Sequence, residues 1–249
     1  MDNKNDLDTF ELANGTFGFS ATKLEDLGAT EYTLVTLVID ESGSVGSYRN
    51  DLEKSIKEVI KSCQFSPRKD NLLVRILAFN SFLKEKHGFK LLEKCDLSDY
   101  KNFINPNGGT SLYDSVLNAI QATNEYARSL KNNDYTSNGI IFIITDGKDN
   151  SSSFNSNNIK QELSSAIKEE FLESLVTILI GVGINNNTGK VLSQFKDDVG
   201  FTQYEEIENA DAKTLAKLAA FVSHSISAQS KSLGTGVMSK PLSLLDLSF

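Results

Sequence analysis

Four stretches of this chain, 34–39, 72–79, 139–145 and 175–182, are built almost wholly from Leu, Ile, Val and Phe. Runs of that length and content predict strands buried on both faces. Between them the apolar positions change to helical spacing. Leu52, Ile56, Val59, Ile60 and Cys63 mark one helix over about 48–63, and Pro67 stops its continuation. Leu112, Val116, Ile120, Thr123, Ala127 and Leu130 mark a longer one over 111–131, and Ile159, Leu163, Ala166, Ile167 and Phe171 a third over 158–173. A short helix near 188–196, a strand near 200–206 and a helix at 211–226 complete the alternation. Residues 82–92 predict a short edge hairpin that turns at His87-Gly88. Strands separated by helices of this length require right-handed crossovers. The expected fold is therefore α/β: a doubly wound, mainly parallel sheet with helices on both faces and one short antiparallel edge strand.

The flanks differ from this pattern. In residues 1–31, Phe10, Phe17 and Phe19 alternate with glycine and threonine, which suits an edge ribbon or strap packed on the domain. Residues 32–226 form the main domain. From 227 the chain turns Ser-, Gly- and Lys-rich, then ends in an apolar tip at 242–249, the pattern of a flexible linker with a tip that needs cover. That tip either returns to the domain or docks on a partner.

Composition narrows the function. The net charge is −8 with no Lys/Arg cluster to offset it, which argues against nucleic acid as a partner. No apolar run approaches the ~18 residues of a membrane span, and the acidic, polar start (Met1 to Asp6) is not a secretory signal. A cytoplasmic location is expected, with Cys63 and Cys95 as buried thiols in a reducing compartment. His87 reads as a solvent-exposed loop residue and His224, beside Val222 and Ile226, as structural. There is no phosphate-binding Gly-Lys-Ser/Thr loop and no Cys-His cluster, and Gly181-Val182-Gly183 lacks the third glycine of a dinucleotide fingerprint.

One feature of the pattern carries chemistry. The first buried run ends in Asp40-Glu41-Ser42-Gly43-Ser44, the third in Thr145-Asp146-Gly147, and a Gly108-Gly109-Thr110 turn precedes the long helix. In doubly wound sheets ligands gather outside the carboxyl ends of the strands, so Asp40, Ser42, Ser44, Thr110 and Asp146 all lead to one edge. Carboxylates and hydroxyls are hard oxygen donors suited to magnesium or manganese. The competing reading makes each of them a local device. Asp40, Ser42 and Ser44 would cap the next helix, Thr110 would cap 111–131 with Asp114 facing its dipole, and Asp146-Gly147 would be a turn.

Taken together, Asp-x-Ser-x-Ser, the distant Gly-Gly-Thr-Ser and Thr-Asp-Gly after a buried strand resemble the von Willebrand factor A domain over about residues 32–226. That family carries a metal-ion-dependent adhesion site. The resemblance implies that Ser42 and Ser44 ligate directly and Thr110 directly or through water, while Asp40 and Asp146 act mostly through water. It implies Mg2+ or Mn2+ ahead of Ca2+, and an open position completed by an acidic side chain of a protein partner. Intracellular bacterial and phage members of the family also lack a signal peptide and often work beside an ATPase, which implies a non-enzymatic adaptor in a larger assembly. Glu41 and Asp149 depart from the pattern by adding negative charge at the rim, with Lys148 as a partial offset. Two other readings stand beside this one. A haloacid-dehalogenase-like phosphatase would use Asp40 as nucleophile with Lys148 and Asp149, although Ser42 stands where that chemistry needs an acid. A structural subunit would self-associate through 227–249.

Overall fold

In the computed structural model, residues 7–12, 18–235, 237, 239–240 and 242–244 are described. Their strands are β1 (Leu7–Glu11), β2 (Gly18–Thr22), β3 (Glu31–Asp40), β4 (Leu72–Phe79), β5 (Leu83–Leu91), β6 (Thr136–Thr145), β7 (Leu175–Val182) and β8 (Gln203–Ile207). The helices are α1 (Arg49–Gln64), α2 (Leu112–Lys131), α3 (Ser156–Lys168), α4 (Asn186–Val199) and α5 (Ala212–Ser232). All eight strands join one sheet in the order β1-β2-β5-β4-β3-β6-β7-β8. β4, β3, β6, β7 and β8 run parallel to one another. β5 is antiparallel to β4, and the antiparallel β1–β2 hairpin extends the sheet beyond it. The doubly wound, mainly parallel sheet is thus present, with β1 at its edge and the antiparallel β5 inside.

Alternate residues of each central strand enter opposite cores, as strand geometry requires. Leu34, Val38, Ile141, Ile143 and Leu179 face α2, α3 and α4, meeting Val116, Ile120, Leu163 and Phe195. Val35, Leu37, Ile39, Phe142 and Ile144 face α1 and α5, meeting Ile56, Val59, Leu218 and Val222. Full burial of each such side chain contributes about 1.5–3 kcal/mol. This two-sided cover explains why the central strands show no polar alternation.

A guanidinium nevertheless sits within the sheet: Arg75, in the middle of β4, is 0% exposed. Its Nε donates to Glu85 Oε2 at 2.7 Å and its Nη2 to Asn118 Oδ1 at 2.8 Å. The guanidinium also lies 5.9 and 6.0 Å from the ring centroids of Phe19 and Phe89. Glu85 Oε1 in turn accepts from the Ser20 amide (2.9 Å) and hydroxyl (2.6 Å), tying β2 to β5.

Residues 83–91 form one continuous strand rather than the expected hairpin, and His87 is not a solvent-exposed loop residue. Gly88 serves a close approach, not a turn: a methyl group there would sit 1.8 Å from the Ser20 carbonyl oxygen. The half-buried His87 imidazole is bonded on both sides, by Nδ1 to the Gly88 carbonyl and by Nε2 to the Tyr100 hydroxyl, each at 2.9 Å. Burial pushes its pKa down to about 4; the Gly88 bond, Glu85 and Asp99 oppose this and Lys90 adds to it. The unfolded chain therefore binds this proton more tightly than the folded one. The stabilisation is complete above the unfolded value near 6.5 and is lost as pH falls toward 4. Between pH 7 and 5, urea unfolding of the wild type should lose about 2 kcal/mol more than that of His87→Gln. Parallel losses in the two proteins would refute the assignment.

α5 continues to Ser232, past the expected end at 226, so the Ser-rich stretch expected to open a flexible linker begins as helix. The reason is a polar anchor. Gln229 is buried, its Nε2 donates to Gly139 O and Ser174 Oγ, and its carbonyl accepts from Asn138 Nδ2 at 2.7 Å. Leu242 and Leu244 pack against the core on the α1–α5 face. The rest of the expected tip, 245–249, lies outside the described residues, as do 1–6 and 13–17, including Phe17. Cys63 and Cys95 are buried free thiols, and burial pushes the Cys63 thiol up to about 12.

Candidate metal centre

The carboxyl ends of β3 and β6 are adjacent strands in register, so Asp40 and Asp146 leave the sheet side by side. Asp40 is buried, with Oδ1 accepting from the Ser42 amide at 2.7 Å and Oδ2 from the Thr145 hydroxyl at 2.6 Å. Burial pushes its carboxyl up to about 6, against the opposing pull of the Thr145 and Ser42 bonds. Above it the Ser42 and Ser44 hydroxyls are 3.2 Å apart, and Ser44 Oγ donates to Asp146 Oδ1 at 2.8 Å. Asp40, Ser42, Ser44 and Asp146 therefore form one connected oxygen cluster, open to solvent at Ser44.

The third segment arrives through backbone bonds. Gly43 N donates to Gly108 O at 3.2 Å and Asn107 N to Glu41 O at 3.0 Å, which docks the Gly-Gly loop onto the β3 loop. Thr110 and Asn150 clasp each other: Asn150 Oδ1 accepts from Thr110 N at 2.8 Å and Asn150 N donates to Thr110 O at 3.0 Å. The Thr110 side chain consequently faces the Asp146-Gly147 corner, where a methyl group on Gly147 would lie 3.7 Å from Thr110 Oγ1. The five expected residues share one rim.

None of these hydroxyls caps a helix. Tyr48, which precedes α1, makes no side-chain capping bond, and neither does the Ser111 hydroxyl that precedes α2. The free amides of α2 are taken from another loop instead. Asp149 Oδ1 accepts from Tyr113 N at 3.2 Å and Ser152 Oγ from Asp114 N at 3.1 Å. Asp114 in turn accepts the amides of Ser153 and Phe154, locking residues 149–154 over the helix start. Asp149 is thus engaged in scaffolding, and Asp114 does more than face a dipole.

Charge at the rim is also managed. Glu41 Oε2 accepts from Lys86 Nζ at 2.8 Å and from Asn105 N at 3.0 Å, and both members of the ion pair are nearly inaccessible. Its negative charge is neutralised by Lys86 from β5, where the sequence pointed to Lys148. Tyr48 was not expected at all: it is half-buried at this rim, and burial first and the nearby Asp146 carboxylate second push its pKa up.

The donor set fits a small hard dication. Among the described residues no group of three or more His, Cys, Asp and Glu converges on a metal-binding point, so soft or nitrogen-rich coordination has no residues to use. Two oxygens bound at right angles to one magnesium stand about 3 Å apart. The Ser42–Ser44 separation, 3.2 Å, is close to that spacing, and Ser44 is also held by Asp146 at 2.8 Å. Residues that would hold the ion are Ser42, Ser44 and Thr110, with Asp40 and Asp146 behind them.

A family model for the von Willebrand factor type A domain matches residues 35–221. The chain belongs to this family. Members of it generally act as interaction modules rather than as enzymes. Solved structures share the fold at low identity. The PilB minor pilin from Streptococcus sanguinis matches at 16% identity and TM-score 0.53, over 84% of this chain and 64% of that one. The pilus adhesin SpaC from Lactobacillus rhamnosus GG matches at 12% and 0.57, over 85% and 32%. Proximal thread matrix protein 1 from the mussel byssus, solved with a zinc-occupied MIDAS motif, matches at 16% and 0.52, over 86% and 48%. This chain therefore spans between about a third and two thirds of the length of those proteins. No curated protein matches the sequence significantly. No helix among the described residues is long and apolar enough to cross a membrane.

Proposed function

We propose that this von Willebrand type A domain is a metal-dependent protein-binding adaptor that engages an Asp or Glu side chain of its partner. The reading is supported above all by the connected Ser42–Ser44–Asp146 cluster over a buried Asp40, made of hydroxyls that serve no helix. Magnesium or manganese at this point supplies positive charge that neutral hydroxyls leave only partly compensated. Thr145 and the Ser42 amide fix the Asp40 carboxylate, Asp40 fixes the β3 loop, and Asn150 fixes Thr110. The chain thereby presents a rigid rim before any partner arrives, which lowers the ordering cost of association. Pairing Glu41 with Lys86 removes a charge that would repel an incoming acid. An ATPase-containing assembly in the cytoplasm of a bacterium or its phage is the setting we favour. Minor pilins and pilus adhesins with the same fold make a surface assembly the other setting.

The experiment is affinity capture from the native host with the full chain as bait, in magnesium and in chelator. Partners should be recovered in magnesium and lost both in chelator and with Asp40→Ala. Equal recovery under all three conditions would count against a metal-dependent contact.

A further inference from the structure

Phe82 is 79% exposed on the short turn that joins β4 to β5. Single exposed apolar residues are ordinary; its location and anchoring are what single this one out. β4 ends beside β3 with Phe79 in register with Asp40, so the turn opens next to the oxygen cluster. Asn80 N donates to Phe82 O and Phe82 N to Asn80 Oδ1, each at 3.0 Å, which closes the turn on itself. The turn is also fastened to the Thr110 loop. Ser111 N donates to Asn80 O at 2.7 Å, Gly109 N to Ser81 Oγ at 2.8 Å and Asn80 Nδ2 to Asn107 Oδ1 at 3.0 Å. Gly108, at φ +68°, leaves no room for a side chain against Ser81. The backbone that carries Phe82 is thus held at a fixed place relative to Thr110.

Other exposed rim positions, among them Ser44, Gly46, Ser47, Asn107, Gly108 and Asn150, are small or polar. They can exclude water or form hydrogen bonds but offer little apolar area. We infer that Phe82 is a specificity-determining residue: the partner segment that brings the acid carries an apolar side chain beside it, which rests on the Phe82 ring. This inference rests on the acid-binding reading above and adds the second half of the recognised motif. An aromatic on a fastened turn at the margin of a polar site is the kind of residue that interfaces enrich, because it adds contact area with few side-chain torsions to order.

The probes are two fluorescein-labelled octapeptides with one central Asp, flanked by Leu in one and by Ser in the other. Fluorescence anisotropy with the full chain in Mn2+ should show the Leu-flanked peptide binding about tenfold tighter. Phe82→Ser should abolish that preference while its Mn2+ affinity, read separately by electron paramagnetic resonance, stays that of the wild type. Equal binding of the two peptides by the wild type, a preference that survives Phe82→Ser, or loss of Mn2+ affinity in Phe82→Ser each overturns the inference. A wild-type dimer that Phe82→Ser converts to monomer also overturns it, since a second copy would then cover the ring. Failure of both peptides to bind in Mn2+, or binding that persists in chelator, identifies a different failure, that of the acid-binding reading itself.

Discussion

Glu85→Ala should lower stability by about 3–5 kcal/mol, the cost of leaving a buried charge without its partner. Arg75 is completely buried, burial disfavours its charged form, and Glu85 is the first opposing cause. Without that carboxylate, Asn118 and two aromatic faces are the remaining described partners of the guanidinium, whose Nη1 already lacks a hydrogen bond among the described residues. The same substitution orphans the Ser20 amide, so the β1–β2 hairpin loses a tether at the moment the core gains an uncompensated charge. For a chain of this length the loss corresponds to a melting temperature lower by about 10 °C. Arg75→Met with Glu85→Leu should recover much of it, because a matched apolar pair avoids desolvating two ions. A single variant within 1 kcal/mol of wild type would mean that the pair does not organise this end of the sheet.

The second large effect concerns the metal. Asp40 is the residue that joins the two strand ends, accepting from Ser42 on one and Thr145 on the other. Removal of a side chain that orients metal ligands typically costs about 10–100-fold in affinity. At a free Mn2+ concentration 100 times the wild-type dissociation constant, binding stabilises the folded state by about 2.7 kcal/mol. That amounts to a rise of roughly 5–10 °C in melting temperature for the wild type. In Asp40→Ala, with affinity 100-fold weaker, the same concentration should yield about 0.4 kcal/mol and a rise of roughly 1 °C. Differential scanning calorimetry with and without Mn2+ reads both shifts. Equal shifts would show that the ion binds elsewhere.

The fold was legible where physics is local. β3, β4, β6 and β7 are covered on both faces, so their composition alone marks them, and α1 and α2 declare themselves by spacing. That the five oxygen-bearing residues share a rim was legible because strand ends deliver Asp40, Ser42, Ser44 and Asp146 and because the whole pattern, Thr110 included, resembles one family. What stayed hidden depends on distant partners. The polar run Lys84-Glu85-Lys86-His87 reads as surface until Arg75, Glu41 and Tyr100 are seen to pair with it. Gly88 suggests a turn until Ser20 crosses above it. Asp149 and Ser152 cap α2 from 36 and 38 residues away, a relation that no local capping rule detects. Gln229 extends α5 through bonds to β6 and Ser174, and a Ser-rich stretch gives no hint of that. Tyr48 had neither periodicity nor motif to mark it.

The most direct measurement is the position of a bound Mn2+ ion by anomalous scattering from crystals of the full chain. One peak is expected at bonding distance, about 2.2 Å, from the hydroxyl oxygens of Ser42 and Ser44. Mn2+ held away from those two hydroxyls, or no peak at millimolar Mn2+, would contradict it.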